Sequence, residues 1–340
     1  MSRFHPAELL RPVGRSRWGM AVVLGVALAA VLALPGFGGH PQLASAIGLG
    51  FVLTAVPTLP LSLRAAAITI TTRGAGVIGG AIVAVLTSGH PVALGLATVV
   101  AAVIGALRPT LGPTAALAVV LIAVDTGNTA QWSQMPAYVV GAAVVPVAWL
   151  CWRATVMLAG KGSAASSRAP QDVGADGSPR LEPHALRVGA AVALAVTISA
   201  CLPADLVGAH WLVTCVVLTI QPAAVQTGVR LVQRLSGNAV GALVAAGLLG
   251  ADLPGLVVIW AAVVLFVVAM ALRPVNYTWW AVTGPPVLLI ISEYPGRFPW
   301  YEGGVRLAMN LLGAAVVVLV VFAVPALMGR VAPTSGRNIG

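Results

Sequence analysis

Long apolar runs, broken by short polar turns, cover almost the whole chain. Each run comes close to the roughly 20 residues that an α-helix needs to cross about 30 Å of hydrocarbon. The pattern predicts twelve spans, at about 18–36, 42–59, 66–88, 91–107, 110–126, 136–158, 186–203, 208–224, 235–250, 254–272, 276–292 and 304–327. The strict alternation of a membrane β-barrel is absent. One interruption is longer than a turn. Residues 160–184 are polar and rich in Gly, Ser and Pro, the composition of a flexible linker. They separate a first six-span half (1–159) from a second (185–330), which a short tail (331–340) follows.

Composition narrows the class. The chain has 340 residues, of which 59% are hydrophobic and only 8% charged; its mean hydropathy is +0.97. An ordinary soluble domain is about 25% charged. No water-soluble globule of this size hides so much apolar surface, so both a soluble enzyme and a disordered chain are excluded. The expected fold is an all-α integral membrane protein. Arg11, Arg15 and Arg17 precede the first span as they would in a signal peptide, but no convincing cleavage site lies before His40. A retained first helix is expected.

The net charge of +10 carries topology rather than a nucleic-acid footprint. With the N-terminus placed in the cytoplasm, 17 of the 19 basic residues fall on the cytoplasmic side. Only Arg297 and Arg306 fall outside, where Asp125, Asp205, Asp252, Glu293 and Glu302 lie. This bias predicts a multi-pass plasma-membrane protein with both termini in the cytoplasm. Cys151, Cys201 and Cys215 all sit in or beside apolar runs and read as buried free thiols.

The two halves resemble each other. Arg73-x-x-Gly76-x-x-x-Gly80 repeats as Arg234-x-x-Gly237-x-x-x-Gly241. Arg108-Pro109 repeats as Arg273-Pro274, and Gly141-Ala-Ala-Val as Gly313-Ala-Ala-Val. Six spans return the chain to its starting side, so the expectation is two parallel repeats about an axis normal to the membrane, enclosing a central path.

The stretch 210–241 carries a family likeness. Trp211, Thr214, Gln221-Pro222, Thr227, Arg230, Arg234, Gly237-Asn238 and Gly241 resemble the FUSC-like (fusaric acid resistance, aromatic acid exporter) membrane domain, as do RPVNYTWW at 273–280 and RLAMNLLGAA at 306–315. The resemblance implies export of small organic anions, often aromatic acids, or anion conduction as in the related plant malate channels. Two features depart from the family pattern. Asn238 stands where Thr is usual, and the short linker replaces a large cytoplasmic domain found in many bacterial members. A non-transporting membrane scaffold for envelope assembly is the alternative from another class.

The candidate path residues are Arg73, Arg234, Arg108, Arg273, Asn238, Tyr277, Asn310 and His210. Few residues separate Arg73 and Arg234 from the next polar turn. Each is either an interfacial anchor or a cation inside the membrane edge, where its planar fork suits a carboxylate. Trp211 falls at the outer edge of the eighth span, as a belt residue would, and His210 beside it reads either as a lone exposed histidine or as a group for a proton-coupled step. Tyr277, Trp279 and Trp280 cluster where the eleventh begins. Arg306 reads as the partner of Glu302 at the outer surface, one turn before Asn310, which either bridges helices or lines the path. Gly112-Pro113 and Gly284-Pro285-Pro286 are expected to kink or interrupt the fifth span of each half. No carboxylate is expected inside a span, and no Walker A motif, nucleophile–base pair or metal cluster is present. Neither enzymatic activity nor a cofactor is expected. The expected partners are the lipid bilayer and a small organic anion, with a homo-oligomer open and nucleic acid excluded.

Overall fold

The computed structural model describes residues 14–41, 43–56, 59, 62–159, 181–203, 206, 208–251, 254–293 and 302–331. Among them every regular element is helical. Six helices fill the first half: α1 (Trp18–Phe37), α2 (Leu43–Thr54), α3 (Leu63–Leu86), α4 (Pro91–Leu107), α5 (Thr114–Asp125) and α6 (Met135–Leu158). The second half holds α7 (Leu181–Cys201), α8 (His210–Thr219), α9 (Ala224–Gly250), α10 (Gly255–Leu272), α11 (Tyr277–Glu293) and α12 (Glu302–Val318). A π-helical stretch, Leu319–Ala323, joins α12 to α13 (Val324–Val331). Six helices are long and apolar enough to cross a membrane, on length and composition. Among them are α1, α3, α7 and α10. Large side chains such as Val26, Leu96, Leu243 and Trp260 remain exposed on the outside, which suits lipid and not water. The protein is an all-helical, multi-pass membrane protein.

Helix ends follow local chemistry. Helices α2 and α8 are short because Pro57 and Pro222 follow, and the residue before a proline is driven out of the α region. Each truncated end receives a guanidinium. Arg17 donates from Nη1 to the Leu59 carbonyl (2.6 Å), and Arg187 from Nη2 to that of Pro222 (2.7 Å). Gly112, with φ of +53°, ends the turn after α4, and Pro113 sits at the N-cap of α5. The proline expected to kink the fifth helix therefore starts it. In α11, by contrast, Pro285 and Pro286 lie inside the helix.

Two packing patterns recur. Helix α3 crosses α5 where Gly80 lies; a Cβ there would come within 2.5 Å of Ala118 Cβ. Helix α9 crosses α11 at Gly241, where a Cβ would lie 2.6 Å from the Val282 carbonyl oxygen. Contacts between halves are reciprocal: α1 packs on α10 and α4 on α7, while α2 meets α11 and α5 meets α8. The linker expected at 160–184 gives way to α7 from Leu181; residues 160–180 lie outside the described set. Cys215 is buried, but Cys151 and Cys201 are exposed on the apolar surface, contrary to the sequence reading.

Candidate functional site

Four arginines line one cavity between the halves: Arg73 on α3, Arg234 on α9, Arg273 at the end of α10 and Arg306 on α12. Its remaining wall includes Leu53 of α2, Pro113 and Thr114 at the start of α5, Trp211 of α8, and Trp280 and Pro285 of α11. About 60 Å³ of water-sized space lies between them. The bend after α4 brings the first turn of α5 to this wall.

Local contacts hold each cation. Arg230 and Arg234 are one helical turn apart and both engage Tyr277. The Arg230 guanidinium lies 3.6 Å over the Tyr277 ring. Arg234 donates from Nη1 to the Tyr277 hydroxyl at 3.4 Å. Beside them Asn276 Oδ1 accepts from the Thr278 N–H (2.8 Å) and from Gln233 Nε2 (3.1 Å), pinning the start of α11 to α9. Arg273 stacks on Trp280 at 4.5 Å. A guanidinium over an aromatic face gains a cation–π attraction without being neutralised.

Arg306 lies inside the protein and not at its outer surface. It is only 3% exposed. Its guanidinium packs 3.4 Å over Trp211 and donates from Nη1 to the Pro285 carbonyl at 3.0 Å. The side chain thus reaches toward the cavity, and Trp211 is a wall residue rather than a belt anchor. Glu302, its expected partner, has a side chain outside the described set.

Arg273 feels the charges of Arg73 and Arg230, and Arg230 that of Arg234. Among the described residues no carboxylate pairs with Arg73, Arg234 or Arg273. The Nε–H groups of Arg73 and Arg234 are buried without a hydrogen-bond partner. Arginine stays protonated in proteins, so the cavity is a concentrated positive field. Such a field attracts anions and favours carboxylates, which can accept from more than one N–H.

The other expected path residues take different places. Tyr277 is buried behind Arg234, outside the cavity wall. Asn238 and Asn310, 2% and 0% exposed, bridge α9 to α12. Asn238 Nδ2 donates to Asn310 Oδ1 at 2.8 Å, and Asn310 Nδ2 to the Arg306 carbonyl at 2.7 Å. They brace the helix that carries Arg306. His210 stacks on Trp211 with ring centroids 4.5 Å apart, also outside the wall. Arg108, the repeat partner of Arg273, is exposed at the end of α4 and does not reach the cavity. The expectation of no carboxylate within a span meets one exception: Asp125, the last residue of α5, is half-buried and accepts a hydrogen bond from the Tyr138 hydroxyl. Among the described residues no group of three His, Cys, Asp or Glu side chains gathers as a metal site requires.

The model of the fusaric acid resistance protein-like family matches residues 188–320. Over these residues, less than half of the chain, it is similar to the FUSC-like family. The matched region runs from within α7 to the π-helical stretch and carries Trp211, Arg234, Arg273, Trp280 and Arg306. It leaves out α1 to α6, and so Arg73. No curated protein and no solved structure matches the chain.

Proposed function

We propose that this FUSC-like protein exports small organic anions, aromatic acids among them, through the arginine-lined cavity. The observation that carries the reading is the gathering of Arg73, Arg234 and Arg273 at one cavity with no paired carboxylate among the described residues. A cation in the membrane is costly unless it serves a path or a partner. Trp211 and Trp280 add aromatic surface to the same wall beside these cations.

The architecture proposed with it is twelve spans in two parallel six-helix repeats, residues 1–159 and 185–330, with both termini cytoplasmic in the plasma membrane. The reciprocal packing of α1 on α10 and α4 on α7 supports the repeat. So do the matched guanidinium bonds of Arg17 and Arg187 to the ends of α2 and α8. Among the eight path candidates, Arg73, Arg234 and Arg273 bind the anion in this reading. Asn238, Asn310, Tyr277 and His210 position the helices around it, and Arg108 has no part.

The test is benzoate efflux from proteoliposomes, normalised to inserted protein. Arg73→Gln, Arg234→Gln and Arg273→Gln should each slow it, while Arg108→Gln should not. Equal loss in all four variants, or in none, would overturn the assignment. Movement of the anion against its own gradient, driven by an imposed proton or counter-anion gradient, separates an exporter from an anion channel.

A further inference from the structure

Of the four arginines at the cavity, Arg234 and Arg273 have neutral partners. Arg234 has the Tyr277 hydroxyl, and Arg273 the face of Trp280. Arg73 and Arg234 each leave a buried Nε–H unpartnered, on two different helices. Arg234 is 4% exposed, so bulk water does not relieve it. Arginines cannot shed their protons to lower this charge, and like charges repel strongly where the dielectric is low. A buried charge therefore needs a compensating one.

We infer that the cavity holds a halide-sized inorganic anion whenever no organic anion is bound, and that export is an exchange of one for the other. This rests on the transport reading above and supplies its coupling. The size agrees. A buried water needs roughly 10–15 Å³ of such space, and the cavity offers about 60 Å³. That accommodates a halide with part of its hydration shell. The buried, unpartnered Nε–H groups come from separate helices, Arg73 on α3 and Arg234 on α9. A spherical ion accepts from such donors in any direction, whereas an oxyanion draws its advantage from paired, coplanar donors. An organic carboxylate would need the same guanidiniums. The two anions then exclude each other, and the arrival of one releases the other.

The experiment uses the full chain, purified into nanodiscs and in parallel reconstituted into liposomes. Chloride replaces gluconate at constant ionic strength while the thermal midpoint is followed. A saturable rise is expected, with the apparent Kd for chloride raised about tenfold or more in Arg234→Gln and unchanged in Arg108→Gln. If Arg234→Gln does not fold, Arg73→Gln carries the same test. In benzoate-loaded proteoliposomes, external chloride should speed efflux several-fold over external gluconate. No saturable chloride effect, together with benzoate efflux indifferent to external chloride, would overturn the inference and leave the transport reading standing. A chloride effect equal in Arg234→Gln and Arg108→Gln would overturn it as a general salt effect. A saturable, Arg234-dependent chloride effect without flux of any organic anion would support the halide site and remove the transport reading instead.

Discussion

Replacing Arg234 separates a binding group from an anchor. The side chain is 4% exposed and reaches the cavity from the middle of α9, with Tyr277 as its nearest hydroxyl partner at 3.4 Å. Alanine would remove both that bond and one cationic wall of the site. A hydrogen bond to a charged group contributes about 1.5–3 kcal/mol, which converts to a roughly 10- to 150-fold loss of anion affinity. Lysine keeps the charge but not the planar fork, and cannot hold the Tyr277 hydroxyl and an anion with the same geometry. It should recover part of the loss. Protein level should stay near wild type in Arg234→Ala, because removing an unneutralised buried charge also removes its desolvation cost. The assay is benzoate efflux across a concentration series, normalised to membrane-inserted protein, for wild type, Arg234→Lys and Arg234→Ala. A lysine variant equal to wild type, with an alanine variant that loses only abundance, would refute the reasoning and make Arg234 an interfacial anchor.

Helix crossing at glycine gives a second test: Gly80→Val and Gly241→Val should each cost about 1–3 kcal/mol from overpacking, read as a lowered thermal midpoint. Gly79→Ala, where nothing lies within 4 Å of an added Cβ, should leave the midpoint unchanged. Asn310→Leu removes the acceptor of Asn238 and should destabilise by roughly 0.6–1.7 kcal/mol, the range for hydrogen bonds between membrane helices; a midpoint equal to wild type would remove the brace from the account. Single cysteines introduced within 165–175 and within 295–300 should be labelled from opposite faces of the membrane, and labelling from one face alone would contradict the proposed topology.

The helical segments were legible because apolar runs act locally; several ends were not, since α2 and α8 stop five residues before the expected ends at 59 and 224, and α9 starts at Ala224 where the apolar pattern places a span from 235. Arg73 and Arg234 were legible because their Arg-x-x-Gly-x-x-x-Gly motif occurs twice, and both reach the cavity. The same logic failed for Arg108. Its Arg-Pro pair repeats that of Arg273, but a turn through Gly112 and Pro113 delays α5 until Thr114. Helix α11 instead starts at Tyr277, four residues after Arg273, and holds it by Trp280. Identical dipeptides thus led to different exits. Arg306 and Trp211 were missed for the opposite reason. Both stand near a helix start, where hydropathy reads a surface, and the inward reach of a long side chain leaves no trace in sequence spacing. The Pro285 carbonyl and the Trp211 face, both offered by other helices, meet that guanidinium.

The reciprocal packing of the halves also sets an order on biogenesis. The Arg17 backbone N–H donates to the carbonyl of Ala271, a partner 254 residues later (271 minus 17) in the chain. At a synthesis rate of about 5–20 residues per second, roughly 13–50 s pass before that carbonyl leaves the ribosome. During this interval α1 and α4 sit in the bilayer with lipid against the faces they later present to α10 and α7. The first half must therefore be stable enough to wait, yet loose enough to admit its second set of neighbours. A nascent chain stalled before α10 should remain membrane-integrated but open to proteases, and gain resistance only as the second half arrives.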